Sequence, residues 1–335
     1  MLTHVGDLDP VAVVGDRCFT GLRDVTSDIS ALDGEGLWVV VVRFEGEAVC
    51  ARFNSARAVP STWPAWVGPA LDSWSSSLDR EGFCKGVVDI REAIAAGDVY
   101  EVNLCRVLSA PISGGADVMA LGGVLRAGNP APHGAVVRLP GSIELASASP
   151  ELFLRRDGAV VESRPIKGTA PSGQAFTAKD RAENVMIVDL VRNDLGRVCE
   201  YGSVSVPALC AVEEHPGLDH LVSTIRGRLR PAVGWAELLE ATFPPGSVTG
   251  APKLAAFDAI RKLEPVRRGP YCGTVGWVDA DRRCGELNVA IRTFWLEDAR
   301  LHFGTGGAVT WDSTPEGEWA ETELKAARLV ALAST

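Results

Sequence analysis

Several side chains are spaced so that they could act together on a small anionic molecule. Glu318, Glu321 and Lys325 stand at i, i+3 and i+7, one stripe of a helix. Two carboxylates one turn apart can hold a divalent cation, and magnesium favours one or two carboxylates completed by waters and ligand oxygens. Glu183 and Asp180 share a face of an earlier helical segment, with Asp189, Arg192 and Asp194 further along it. Either stripe alone also suits a solvated charged face. Two of them, in a chain with no cysteine–histidine metal spacing, point to a shared magnesium site.

The segment Arg164-Pro165-Ile166-Lys167-Gly168-Thr169 sets a lysine among apolar residues, proline and glycine. Desolvation there would lower the pKa of Lys167 and free a neutral amine as a nucleophile; the bland alternative is a surface lysine. Ser149-Pro150-Glu151 puts a carboxyl at a strand start. Burial would raise its pKa toward general-acid work, while an edge-strand glutamate is the simpler reading. Gly304-Thr305-Gly306-Gly307-Ala308 reads as a glycine loop after a short strand, able to offer backbone N–H groups to a carboxylate or to serve only as a turn.

The elements that must position these residues follow from periodicity. Residues 1–80 read as short strands and turns, with Leu37-Trp38-Val39-Val40-Val41-Val42 a buried strand. They form a strand-rich N-terminal portion of the same fold, and 81–335 form the catalytic domain. Residues 87–96 are helical with a stop at Gly97. Residues 98–105 alternate as a strand, with Tyr100, Val102 and Leu104 on one face and Glu101 and Asn103 on the other. Strands are expected at 134–140, 143–149 and 151–162, helices at 179–195 and 252–263, a hairpin of 271–279 with 286–296, and a short strand at 300–303. Thr314-Pro315 starts a helix that runs to about residue 332. Strands in blocks with helices irregularly interposed predict an α+β architecture with mainly antiparallel sheet. No G-x-G-x-x-G follows a strand, which removes a dinucleotide-binding reading.

Composition narrows the class. The chain has 335 residues, 46% hydrophobic and 23% charged, with a net charge of −10. That is ordinary for a soluble enzyme and argues against nucleic acid as a partner. The eight cysteines form no CxxC pair and read as reduced thiols of a cytoplasmic protein. Gly82-Phe83-Cys84-Lys85-Gly86 has the look of a glutaminase nucleophile elbow, yet only about eighty residues precede it, too few for the sheet that such an elbow caps. The N-terminus lacks a signal-peptide pattern, and the most apolar run, 37–42, is too short to span a bilayer.

Taken in order, these segments resemble the chorismate-utilising enzymes, a family that includes anthranilate, aminodeoxychorismate, isochorismate and salicylate synthases. The resemblance runs from about residue 86 to 325. It includes Gly97-Asp98-Val99-Tyr100-Glu101-Val102-Asn103-Leu104, Ser149-Pro150-Glu151, the Lys167 segment, Asp180-Arg181-Ala182-Glu183-Asn184 and His220-Leu221-Val222-Ser223-Thr224. Phe243-Pro244-Pro245-Gly246-Ser247-Val248-Thr249-Gly250-Ala251-Pro252-Lys253, Tyr271-Cys272-Gly273-Thr274-Val275-Gly276, Ala290-Ile291-Arg292-Thr293, the glycine segment and the last helix complete it. It implies antiparallel sheets packed as a sandwich with surrounding helices.

The roles that follow are those the resemblance implies. Lys167 matches the motif of the aminodeoxychorismate synthases, where anthranilate synthases carry alanine. It would attack carbon 2 of chorismate as the 4-hydroxyl leaves, and ammonia would then add at carbon 4 and expel the lysine. Glu151 would be the general acid/base. Glu183 and Glu321 would bind Mg²⁺, with Glu318 close by. Arg292, Tyr271 and the Gly306/Gly307 backbone would hold a substrate carboxylate, and Thr169, His220 and Lys325 would shape the pocket. Ammonia would come from a separate glutamine amidotransferase subunit, and a downstream lyase would release 4-aminobenzoate. Glu101 departs from the pattern: aminating members usually carry glutamine there, and those that activate water carry lysine. Anthranilate synthase, isochorismate or salicylate synthase, and a silent scaffold relative are the alternatives.

Overall fold

The computed structural model describes residues 9–334 apart from 113, 172, 216 and 217; the N-terminal segment judged for a leader lies outside the described residues. Eighteen strands join into one hydrogen-bonded network among the described residues. Each of its pairings is antiparallel, in line with the α+β expectation. The N-terminal strand Leu37–Val42 pairs with Thr274–Asp279, so the two ends of the chain share one sheet.

A two-stranded ribbon organises the site. Ile143–Ser149 leads straight into Leu152–Asp157, and Cys284–Val289 leads into Thr293–Glu297. Thr293 stands opposite Ser147 and Asn288 opposite Leu152, so the two segments run alongside each other and both break at the same level. On one side of the break their outer neighbours are His133–Leu139 and Arg300–Val309. On the other they are Val160–Arg164 and Thr274–Asp279. The ribbon thus passes from one part of the sheet to the other at 149–151 and 290–292.

Alternation divides what each face covers. Ala135, Val137 and Leu139 belong to the large central core, while Val136 faces a second cluster. Leu145 and Trp295 likewise point to the first, Ala146 and Phe294 to the second. The second cluster is closed by two helices that supply Val118, Leu121, Leu125, Leu329 and Val330. This is the layered packing expected of a sandwich with helices outside it.

Six α-helices are present among the described residues: α1 (Arg80–Ala96), α2 (Val118–Gly128), α3 (Ala178–Gly196), α4 (Trp235–Thr242), α5 (Lys253–Leu263) and α6 (Pro315–Ala333). Their starts are written in side chains that accept from first-turn amides. Asp79 caps α1, Thr177 and Asp180 form a reciprocal capping box on α3, and Thr314 caps α6 with Pro315 in its first turn. α1 stops at Gly97, which takes the left-handed φ of 84°.

Four sequence expectations change. The helix expected at 87–96 begins at Arg80, which sets Cys84 inside it, in line with the case against an elbow, and the Cys84 thiol reaches the Pro315 carbonyl at 3.5 Å. The strand expected at 98–105 is Glu101–Pro111, nearly all of it buried, which leaves Tyr100 outside it and 66% exposed. The arm expected at 286–296 is two strands, because its residues change partner at the ribbon break. The glycine segment is no loop: it continues the strand Arg300–Val309, paired residue by residue with Glu101–Pro111. All eight cysteines are free, and no helix among the described residues is long and apolar enough to cross a membrane.

Candidate active site

The ribbon break, the first residue of Glu101–Pro111, the strand Ile166–Pro171 and helices α3 and α6 bring charged side chains into a largely buried group. Lys167 is 8% exposed and Glu101 is wholly buried. The Lys167 ammonium donates to Glu101 Oε1 at 2.8 Å. Burial pulls the lysine pKa down, but Glu101, Glu183 and Glu151 more than offset it, and the net shift is upward. The expectation of a resting neutral amine is therefore corrected. Proline and glycine around the lysine do bury it, but three carboxylates brought from distant segments hold it as a cation.

Glu151 sits at the break itself. Its N–H donates to Ser149 Oγ at 3.2 Å and its carbonyl accepts from the Val289 N–H at 3.0 Å, tying the two halves of the ribbon together. Burial raises its carboxyl to about 7, against the pull of the Ser247 hydroxyl, Lys167, the Ile166 amide and Arg292. Such a group holds a proton near neutrality and can give it up, which is what general-acid work requires. Ser247 was quoted in its motif without a role; its contact with Glu151 arises only in three dimensions.

Arg292 occupies the opposite arm of the break with a φ of 52°. Its carbonyl accepts from the Ala148 N–H at 3.0 Å, which fixes the residue in that conformation. A non-glycine residue there costs roughly 1–3 kcal/mol and persists only where its surroundings impose it. Burial pulls the guanidinium pKa down, with Glu151 acting the other way. No ion pair or hydrogen bond engages the guanidinium among the described residues. A desolvated cation without an anion is suited to a carboxylate ligand.

Helices α3 and α6 face each other across the remaining carboxylates. Lys179 of α3 lies 3.6 Å from Glu183 Oε1 and 3.8 Å from Glu318 Oε1 of α6, a bridging cation that went unremarked in the sequence although it stands four residues before Glu183. Burial pushes Glu183 up to about 7, with Lys167 and Lys179 opposing and Glu101 and Glu318 adding to it. Glu318 is 4% exposed and accepts from the Ser313 hydroxyl at 2.6 Å. Its Oε2, like Oε2 of Glu101, is buried without a hydrogen-bond partner. Gly307 explains how Glu318 fits: a Cβ there would stand 2.7 Å from that Oε2. Lys325 bridges Glu321 Oε1 at 2.5 Å and the Gly306 carbonyl at 3.0 Å. For Glu321, the upward push of burial is outweighed by Lys325, and the net shift is downward. Among the described residues no three His, Cys, Asp or Glu side chains stand close enough together to hold a metal ion by themselves.

The remaining expected residues are placed less directly. His220 is buried in Leu218–Arg228, opposite Thr169; the side chain of Thr169 lies outside the described residues. Tyr271 is 5% exposed and lies against Gly304, where a Cβ would be 2.0 Å from its ring. Burial first, then Cys272 and Cys105, push its phenol pKa well up. A Cβ on Gly306 would meet the Leu104 carbonyl at 2.5 Å, so this close strand pairing tolerates no side chain.

A family model described as chorismate binding enzyme matches residues 37–331. The chain belongs to this family. It is 41% identical over 271 residues to aminodeoxychorismate synthase component 1 of Escherichia coli (strain K12), covering 77% of this chain and 58% of that one. It is 38% identical over 291 residues to anthranilate synthase component 1 1 of Haloarcula marismortui, covering 82% and 59%. The chain thus spans a little under three-fifths of the length of these two curated relatives. A menaquinone-specific isochorismate synthase structure from Escherichia coli superposes with a TM-score of 0.81 over 98% of this chain and 90% of that one, at 17% identity, a likeness of fold alone.

Proposed function

We propose that this chorismate-binding enzyme is an aminodeoxychorismate synthase, converting chorismate and ammonia to 4-amino-4-deoxychorismate. The observation that carries the reading is Lys167, buried in the group of carboxylates and held at 2.8 Å by Glu101. A desolvated lysine among acids is costly to keep as structure alone and is the nucleophile that amination at carbon 4 employs. The curated relatives that share 36–41% identity and the aminodeoxychorismate synthase name support it.

In this account Arg292 takes a carboxylate of chorismate. Glu151, protonated near neutrality, gives its proton to the 4-hydroxyl, which leaves as water. Lys167 passes a proton to the Glu151 carboxylate so formed, and the lone pair this frees bonds carbon 2 as the ring double bonds shift. Ammonia then bonds carbon 4, the double bonds shift back, and the bond from carbon 2 to lysine breaks. Each transfer is assisted by holding the ring at fixed distance from two groups that the ribbon and Ile166–Pro171 position rigidly.

Mg²⁺ fits the donor set. Glu183, Glu318 and Glu321 would hold it, and the orphaned Glu318 Oε2 is an oxygen in want of a cation. The ion needs no closed cage, since waters and substrate oxygens complete its shell. When bound it supplies positive charge for a substrate carboxylate. Ammonia would come from a separate glutamine amidotransferase subunit, consistent with the "component 1" in the relatives' names, and a lyase would act on the product. The test is to incubate the pure chain with chorismate, ammonium and Mg²⁺ and identify the product by chromatography and mass spectrometry. Aminodeoxychorismate supports the reading; anthranilate, isochorismate or salicylate overturns it within the family.

A further inference from the structure

Glu101 has two carboxylate oxygens in different situations. Oε1 accepts from the Lys167 ammonium at 2.8 Å, and Oε2 is buried with no hydrogen-bond partner. A buried carboxylate oxygen left without a donor is expensive, and its strongest complement is a small cation with N–H groups. The adjoining Oε1 already accepts such a donor. Glu101 is wholly buried, whereas the preceding residue, Tyr100, is 66% exposed.

We propose that Glu101 is the ammonium-binding residue of this chain: its Oε2 holds ammonium beside Lys167 and takes the proton that turns it into the ammonia that bonds carbon 4. The proposal rests on the amination reading. Starting from the lysine adduct as a secondary ammonium, ammonium passes one proton to Glu101. The ammonia lone pair forms the bond to carbon 4, the double bonds shift, and the carbon 2–nitrogen bond breaks to leave a neutral lysine. Lysine then takes the proton stored on Glu101, restoring the ion pair seen in the structure, and the product leaves with its new nitrogen as an ammonium. Carbons 2 and 4 flank one ring carbon, so a single two-oxygen carboxylate can serve both nitrogens.

The test measures initial rates with ammonium chloride, without any glutaminase, for the wild type and Glu101→Gln. The KM for ammonium is expected to rise about tenfold or more, the effect of losing one hydrogen bond to a charged group, while the KM for chorismate stays within about twofold. Methylammonium, a competitor for ammonium in the wild type, should inhibit the variant correspondingly less. A variant whose rate falls with both the ammonium KM and methylammonium inhibition unchanged overturns the proposal and leaves Glu101 as a positioning residue for Lys167. Equal rises in the two KM values overturn it too. If Glu101→Gln lacks turnover, Glu101→Asp decides: a raised ammonium KM alone supports the site, and a wild-type one refutes it. A wild type that makes no aminated product at any ammonium concentration instead sinks the functional reading.

Discussion

Gly307→Ala tests the proposed role of Glu318 as a Mg²⁺ ligand separately from the stability of the fold. The added Cβ would lie 2.7 Å from Glu318 Oε2 and 3.9 Å from the Glu321 carboxyl carbon. The first distance is well inside normal contact, so the Glu318 carboxylate must move by several tenths of an ångström. The oxygen that the Cβ meets has no hydrogen bond to lose, the bond from the Ser313 hydroxyl goes to the other oxygen, and Gly307 lies outside the left-handed region. Stability should therefore change by less than about 1 kcal/mol, the scale on which Gly→Ala acts through the unfolded chain. Magnesium affinity should fall by about 10–100-fold, the range for disturbing the shell that orients a metal ligand. The assay is initial rate against Mg²⁺ concentration, beside a thermal melt. Gly304→Ala is the contrasting control: its Cβ would fall 2.0 Å from the Tyr271 ring, so it should lower the melting temperature. A Gly307→Ala enzyme with the wild-type Mg²⁺ requirement would refute the placement of Glu318 at the metal.

Three further outcomes are expected. Lys167→Met should abolish amination at carbon 4, whereas an undiminished rate of the same product would exclude the lysine as nucleophile. Glu151→Gln should cut kcat by about 10²–10⁴-fold yet melt higher than wild type at pH 8. The Glu151 carboxyl is raised from 4.5 to about 7, so its contribution to stability is complete below pH 4.5 and is lost as pH rises through 7, roughly 3 kcal/mol that the amide does not forfeit. A lower melting temperature at pH 8 would contradict this. Arg292→Gly should raise the chorismate KM about tenfold or more while relieving the strained φ of 52° by about 1 kcal/mol. Equilibrium unfolding and steady-state kinetics read the two effects separately.

Much of the fold was legible because local signals were strong. Thr314 and Gly97 announced helix ends that the structure keeps, and the run at 37–42 is a buried strand. What escaped was set by long-range pairing. Residues 286–296 alternate like one strand, and only the change of partner at Thr293 breaks them and gives Arg292 its unusual φ. The glycine segment looked like a loop because its glycines answer to packing: they admit the Tyr271 ring, the Leu104 carbonyl and the Glu318 carboxylate. The titration of Lys167 was misjudged for the same reason, since its neighbours Glu101 and Glu183 lie far away in sequence. The carboxylate stripes on α3 and α6 were readable from spacing, but that Lys179 bridges them was not.

The central claim is that Lys167 forms a covalent bond to the substrate ring. Its most direct test is peptide mass mapping of the enzyme quenched during reaction with chorismate and Mg²⁺ in the absence of ammonium. The account predicts a peptide containing Lys167 that carries the mass of chorismate less one water, absent from Lys167→Met and discharged when ammonium is added before the quench. A wild-type enzyme that turns over with ammonium yet never bears that mass on Lys167 would contradict it.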